Sequence, residues 1–116
     1  MINLNWHTCG DDGHWCDFSL LDLSSIDVEG VYIIWHEGQP GRVVRVGQGN
    51  IADRIAAHRN NPEIAQYAAS GTLRVTWAAV HRVDRDGVER HLADTWDPLV
   101  GDAFPDVDPI AVNSPF

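Results

Sequence analysis

The stretch from Gly30 to His58 constrains the fold more than any other part of the chain. It reads GVYIIWH, a break at Glu37–Gly41, then RVVRVGQG, then NIADRIAAH. Val31 to Trp35 is β-branched and aromatic, the composition of a buried strand. Gly38, Pro40 and Gly41 fit a hairpin turn longer than two residues. Arg42 to Val46 then supplies an antiparallel partner. Gly47 and Gly49 end that strand, and Asn50 stands where a helix N-cap belongs. The unit expected is strand, turn, strand, glycine hinge, helix.

The helix spans Ile51 to Arg59 or Asn60, with Ile51 and Ile55 one turn apart on the core face. Arg54 and His58 are also four apart and border that apolar stripe, at the seam between core and surface. Asn61-Pro62 stops this helix and opens another over Glu63–Ala69, which Gly71 closes. Thr72 to Val83 alternates as a long strand, with Leu73, Val75, Trp77 and Ala79 on one face. Asp84-Arg85-Asp86-Gly87 reads as a turn, and a last helix runs from Val88 to about Trp96, ended by Pro98. These elements make an α+β domain: a small three-stranded, mainly antiparallel sheet flanked by helices. Residues 30–116 form the domain, and residues 1–29 an irregular arm packing its aromatics on the sheet, with a short helix or turn near Ser19–Leu23.

A length of 116 residues suits one such domain with a core of its own. No run approaches the roughly 18 consecutive apolar residues of a membrane span. The first residues show neither a basic start nor an apolar stretch, so a soluble, cytoplasmic protein with no membrane partner is expected. Net charge is −9, which on its own opposes a phosphate-rich partner. Its distribution is uneven: residues 1–41 contain seven acidic groups and no arginine, whereas all eight arginines fall within residues 42–92. The middle of the chain is therefore the part suited to a polyanion, through bidentate guanidinium contacts.

The arm also carries His7, Cys9, His14 and Cys16, four ligands able to hold a tetrahedral zinc, although the spacing is not that of a standard finger or ribbon. Two thiols and two surface histidines in a reducing compartment are the plainer reading. A disulfide is the least expected state without a secretion signal.

Five positions stand out for chemistry: Tyr32, Arg54, His58, Glu89 and Asn113. Each has an ordinary explanation. Tyr32 fits a core tyrosine with a bonded hydroxyl, and Arg54 and His58 complement the negative end of their helix. Glu89 follows Asp86 by three, as in a capping box, and Asn113 fits a turn before Pro115.

Together, Gly30-Val31-Tyr32, Arg45-Val46-Gly47, Arg54, His58 and the segment GVERHLADTWDPLVG around Glu89 resemble the GIY-YIG nuclease family over roughly Gly30 to Phe116. The resemblance implies a catalytic set of Tyr32, Arg54, His58 and Asn113, with Arg45 and Gly47 at the substrate and Glu89 as ligand of Mg²⁺ or Mn²⁺. A lone carboxylate holds such an ion when phosphate and water supply the other oxygens. The implied reaction is hydrolysis of DNA phosphodiester bonds, with nucleic acid as partner. Two departures belong beside it. Arg45 stands where the family has its second aromatic hydroxyl, and the chain contains no lysine. A GIY-YIG-like domain without catalysis, binding nucleic acid or a protein, is the alternative.

Overall fold

The computed structural model describes residues 1–101 and 103–116. Four antiparallel strands form one sheet: β1 (Cys16–Asp17), β2 (Glu29–His36), β3 (Arg42–Asn50) and β4 (Leu73–Ala79), in the order β1-β4-β2-β3. Helix α1 (Ile51–Arg59) and the short α2 (Pro62–Ala65) lie between β3 and β4, and α3 (Arg85–Trp96) follows β4. The architecture is α+β, with one strand more than the three expected. The extra strand comes from the arm: Cys16 and Asp17 pair with Val75 and Arg74 on β4. A two-residue strand leaves no alternation to read, because its partner rather than its own sequence specifies it.

The sheet divides two cores. On one face Tyr32 and Ile34 of β2 and Val75 and Trp77 of β4 pack with Ile51 and Ile55 of α1 and with Cys16 and Phe18 of the arm. On the other, Val31, Ile33 and Trp35 meet Val88, Leu92 and Ala93 of α3, together with Val112. This is the period-2 division expected of a sheet covered on both sides. A bulge interrupts it between Ile34 and Trp35, which pair with Arg45 and Val43. The additional β3 residue, Val44, enters the α1-side core while Val43 enters the α3-side core. Past the bulge, Arg45 and Gly47 oppose Ile34 and Tyr32 and so share the α1 face.

Three boundaries differ from expectation. β3 continues through Gly47 and Gly49 to Asn50 instead of ending at the first glycine. β4 stops at Ala79, and a 3₁₀ turn at Arg82–Asp84 leads directly into α3, leaving Val83 exposed. Helix α3 starts at Arg85, inside the stretch that reads as a turn. Gly87 is buried in its first turn because a Cβ there would lie 2.5 Å from Ile110 Cγ1. Its glycine serves close packing of the C-terminal segment, not a chain reversal. α3 ends at Asp97, which takes the left-handed conformation with φ 45°.

Both chain ends are tied to the sheet. The amide of His7 donates to Trp77 O at 2.9 Å, and Ile2 forms a parallel bridge with Val112. After α3, the amides of Leu99 and Val100 donate to the carbonyls of Val43 and Val44 on the outer edge of β3. The last third of β3, where Gly47 and Gly49 lie, is past those contacts. No helix is long and apolar enough to cross a membrane among the described residues.

Candidate active site

Tyr32 projects from the middle of β2 over Gly47, its partner on β3. A Cβ at Gly47 would overlap the Tyr32 hydroxyl, so the glycine is what lets the phenol lie across the edge strand. Gly47 thereby acts by clearance, offering no side chain to a substrate.

Helix α1 brings two groups to the same place. Asn50 caps it, its side chain accepting from the amide of Asp53 at 3.0 Å. Ile51 and Ile55 are fully buried and fix the rotation of the helix about its axis. Arg54 and His58, on adjoining turns, are thereby directed at β3. His58 Nε2 lies 2.5 Å from the Tyr32 hydroxyl. Both residues are buried, Tyr32 to 1 % exposure and His58 to 5 %. Burial, then the positive charges of Arg54 and Arg45, lower the His58 pKa to about 4. The imidazole is neutral at pH 7, and in the tautomer with its proton on Nδ1 it would accept a hydrogen bond from the phenol.

The two guanidinium groups are incompletely paired. Among the described residues, Nε of Arg45 and Nε of Arg54 are both buried without a hydrogen-bond partner. The stem of Arg54 runs past Gly49, whose φ of +126° a side chain rarely adopts. A cavity of about 480 Å³ opens beside Arg45, lined also by Asn61, Glu63 and Leu99 to Gly101. Its walls are mainly polar backbone and side-chain groups, suited to an anion more than to an apolar ligand.

Glu89 approaches from the opposite face, on α3. Helices α1 and α3 both pack on β3 from opposite faces, and Glu89 feels the charges of Arg45 and Arg54 across it. Glu89 is 8 % exposed, and burial raises its carboxyl pKa; Gln48, Arg45 and Arg54 act against that shift and Asp86 adds to it. Among the described residues it closes no ion pair with either arginine. A capping role does not apply, since α3 begins four residues earlier. A buried carboxylate without a contact ion pair among the described residues is an unusual feature.

Asn113 is not part of this group. Its Oδ1 accepts from the Leu4 amide at 2.5 Å and its Nδ2 donates to the Leu4 carbonyl at 3.0 Å. Its own carbonyl accepts from Trp6 Nε1 at 3.0 Å. The side chain thus imitates a strand partner for the arm, and both amide functions are used. Of the expected site residues, Tyr32, Arg45, Gly47, Arg54, His58 and Glu89 lie around one end of β3, and Asn113 lies at the seam between the two chain ends.

Two neighbours went unread in the sequence. Gln48 Nε2 donates to Asp86 Oδ1 at 2.7 Å, joining β3 to the start of α3 beside Glu89. Asp86 is one turn before Glu89, a spacing that signals a shared helix face only if α3 is started before Gly87.

The cysteine-histidine set in the arm takes a different form from four zinc ligands. Cys9 and Cys16 are joined as a disulfide. Positive φ at Gly10 and Gly13 folds the intervening segment back, so that Cys9 bridges to His14 and approaches Cys16. His14 turns away, Nδ1 to Asp12 Oδ1 at 2.6 Å, while one ligand atom each from His7, Cys9 and Cys16 lies within 4.8 Å of the others.

No family model, curated protein or solved structure matches the chain. The functional reading therefore rests on the chemistry of the site.

Proposed function

We propose that this chain is a Mg²⁺- or Mn²⁺-dependent nuclease of the GIY-YIG type that hydrolyses DNA phosphodiester bonds. The observation that carries the reading is the Tyr32–His58 hydrogen bond, flanked by two arginines with unpartnered Nε atoms and by a buried carboxylate without an ion pair. Taken singly, each is a small anomaly. Side by side they offer a proton acceptor, an anion clamp and a hard oxygen ligand.

Glu89 fits a divalent ion: it is an oxygen donor whose charged form burial disfavours, and it gains from an added cation. When bound there, the ion neutralises charge at the phosphate and at the leaving oxygen. Arg54 and Arg45 bind the non-bridging oxygens and hold the phosphate against the phenol. Tyr32 takes a proton from the attacking water as its own proton passes to His58 Nε2. A free phenol, with a pKa of about 10, and an imidazole held at about 4 make that transfer unfavourable in the empty site. Two of the causes holding His58 down are the positive charges of Arg54 and Arg45. A bound phosphate offsets those charges, so the imidazole becomes a stronger base when substrate is present.

The rival reading is a domain of the same type that binds nucleic acid or a protein without cutting. The burial of Tyr32 and His58 favours it, because a hydroxyl this enclosed meets a water only if its cover moves. The deciding experiment incubates wild type and Glu89→Ala with labelled single- and double-stranded DNA, in Mg²⁺, Mn²⁺ or chelator. Cleavage that needs the ion and disappears in the variant supports the nuclease. Cleavage surviving the substitution removes Glu89 from the metal, and gel retardation without cleavage by either protein favours the binding domain.

A further inference from the structure

The cysteine pair and His7 take no part in the cluster at β3. We propose that, once the Cys9–Cys16 disulfide is reduced, His7, Cys9 and Cys16 form a zinc site that clamps the first residues of the N-terminal arm to β1. The ligand atoms already lie within 4.8 Å of one another. A tetrahedral zinc, with bonds of about 2.3 Å to sulfur and 2.0–2.1 Å to nitrogen, needs them about 3.5–3.8 Å apart. On reduction the two sulfurs, bonded in the oxidised form, part by side-chain rotation, and the His7 nitrogen closes on them.

The backbone itself is held from two sides. Cys16 lies in β1 opposite Val75. The segment carrying His7 is pinned by its amide on Trp77 O and by Thr76 Oγ1, which donates to His7 O at 2.8 Å. The His7 ring stacks on Trp77 with centroids 4.3 Å apart, which restricts its rotamers. Prior order of this kind lowers the entropy lost when a metal binds. A cavity of about 490 Å³ adjoins His7 and Cys9, lined on its far side by Asp11, Asp22 and Asp27. It admits a water as fourth ligand, and its three carboxylates favour entry of a cation over an anion.

The switch needs a dithiol reductant. Its thiolate attacks Sγ of Cys9, the half-buried partner, and the Cys9–Cys16 bond breaks with Cys16 leaving as thiolate. The reductant's second thiol resolves the mixed disulfide, freeing Cys9 and leaving the reductant oxidised by two electrons. Zn²⁺ then binds both sulfurs as thiolates and the neutral His7 imidazole, displacing the protons the thiols carried. Exchange with a disulfide oxidant runs the same steps in reverse: the Cys9–Cys16 bond re-forms, the oxidant is reduced to its dithiol and the ion is released. The link between Cys9 and Cys16 thus alternates between a covalent bond and a metal.

The test treats the full chain with a phosphine reductant, removes it, and titrates Zn²⁺ against a chromophoric chelator. Co²⁺ serves as a spectroscopic stand-in for the thiolate ligands. The reduced protein is expected to take up one zinc per chain and to give, with Co²⁺, a thiolate-to-metal charge-transfer band and tetrahedral d–d bands. The oxidised protein gives neither. His7→Ala weakens zinc by at least about 100-fold, since even loss of an outer partner costs 10–100-fold, and Cys9→Ser removes the charge-transfer band. His14→Ala leaves both unchanged. Should reduction loosen the fold, recovery of circular dichroism on adding zinc supports the site. Failure of zinc to bind or restore the reduced chain overturns it, as does wild-type affinity in His7→Ala or loss of binding in His14→Ala.

Discussion

Two of the places where this molecule sets polar side chains among apolar ones do so in opposite ways. At the seam between the chain ends, Asn113 engages both atoms of its amide with the backbone of Leu4. At the open end of β3, Arg45 and Arg54 leave Nε atoms unpartnered, and Glu89 is buried without an ion pair. A satisfied buried group contributes to stability, whereas an unsatisfied one costs about 1–3 kcal/mol. The first arrangement is explained by folding alone. The second leaves two guanidinium nitrogens without partners among the described residues, and on the proposed reading a phosphate is the kind of ligand that would pair them.

The largest effect expected from this contrast is on cleavage. On the proposed nuclease reading, Arg54→Ala removes a donor to the charge that builds on the phosphate, and cleavage should fall about 10²–10³-fold. Its unfolding free energy in urea should not fall, because no protein hydrogen bond of its Nε is lost and an unpartnered donor is removed. A variant that loses stability in proportion to activity would break the distinction.

Asn113→Ala should do the reverse. It leaves the amide and the carbonyl of Leu4 without partners, and unfolding free energy should drop by about 1–3 kcal/mol. Cleavage per folded molecule should stay at the wild-type rate. A loss of cleavage without a loss of stability would return Asn113 to the catalytic set from which its hydrogen bonds remove it.

The pH dependence of stability comes next. His58 has its pKa lowered from 6.5 to about 4 by burial and the two arginines. Between those values the unfolded chain binds a proton there that the folded chain does not, so stability is highest above pH 6.5 and declines as pH falls toward 4. Burial shifts Glu89 upward, and its contribution has the opposite sign, falling as pH rises through the carboxyl range. Urea unfolding at pH 7, 6 and 5 should therefore show a slope in wild type that flattens in His58→Gln. An unchanged slope would mean that His58 is not held neutral.

These differences also explain what the sequence revealed. The β2–β3–α1 unit was legible because each piece is specified within a few residues: apolar runs, a glycine-rich break, an Asn cap. Tyr32, Arg54 and His58 were legible for the same reason, as a strand position and two helix positions four apart. Arg45 needed its pairing to be placed, because the bulge at Val44 shifts which face it occupies. Asn113 was misread because its partner, Leu4, is 109 residues away in the chain. Gly87 reads as a turn in DRDG, and only Ile110 packed over it makes it helical. The disulfide followed from the fold of the Gly10–Gly13 segment, for which a pair of cysteines gives no advance sign. Local signals reach as far as local interactions determine structure, and this site has one foot on each side of that limit.

The smallest effect tests how α1 presents Arg54 and His58. Asn50 joins β3 to the helix and satisfies the Asp53 amide. Asn50→Ala should lower stability by about 1 kcal/mol, and Asn50→Gly by a few tenths, the usual costs of losing a cap. Cleavage should be the same in both, because the rotation of the helix is fixed by Ile51 and Ile55, which are fully buried. Helix burial of that kind outweighs a cap, with each such side chain contributing about 1.5–3 kcal/mol. If Asn50→Gly instead slowed cleavage tenfold at nearly wild-type stability, the cap would be aiming the arginine and the imidazole. The boundary between the satisfied and unsatisfied regions would then run through Asn50, within the first turn of α1.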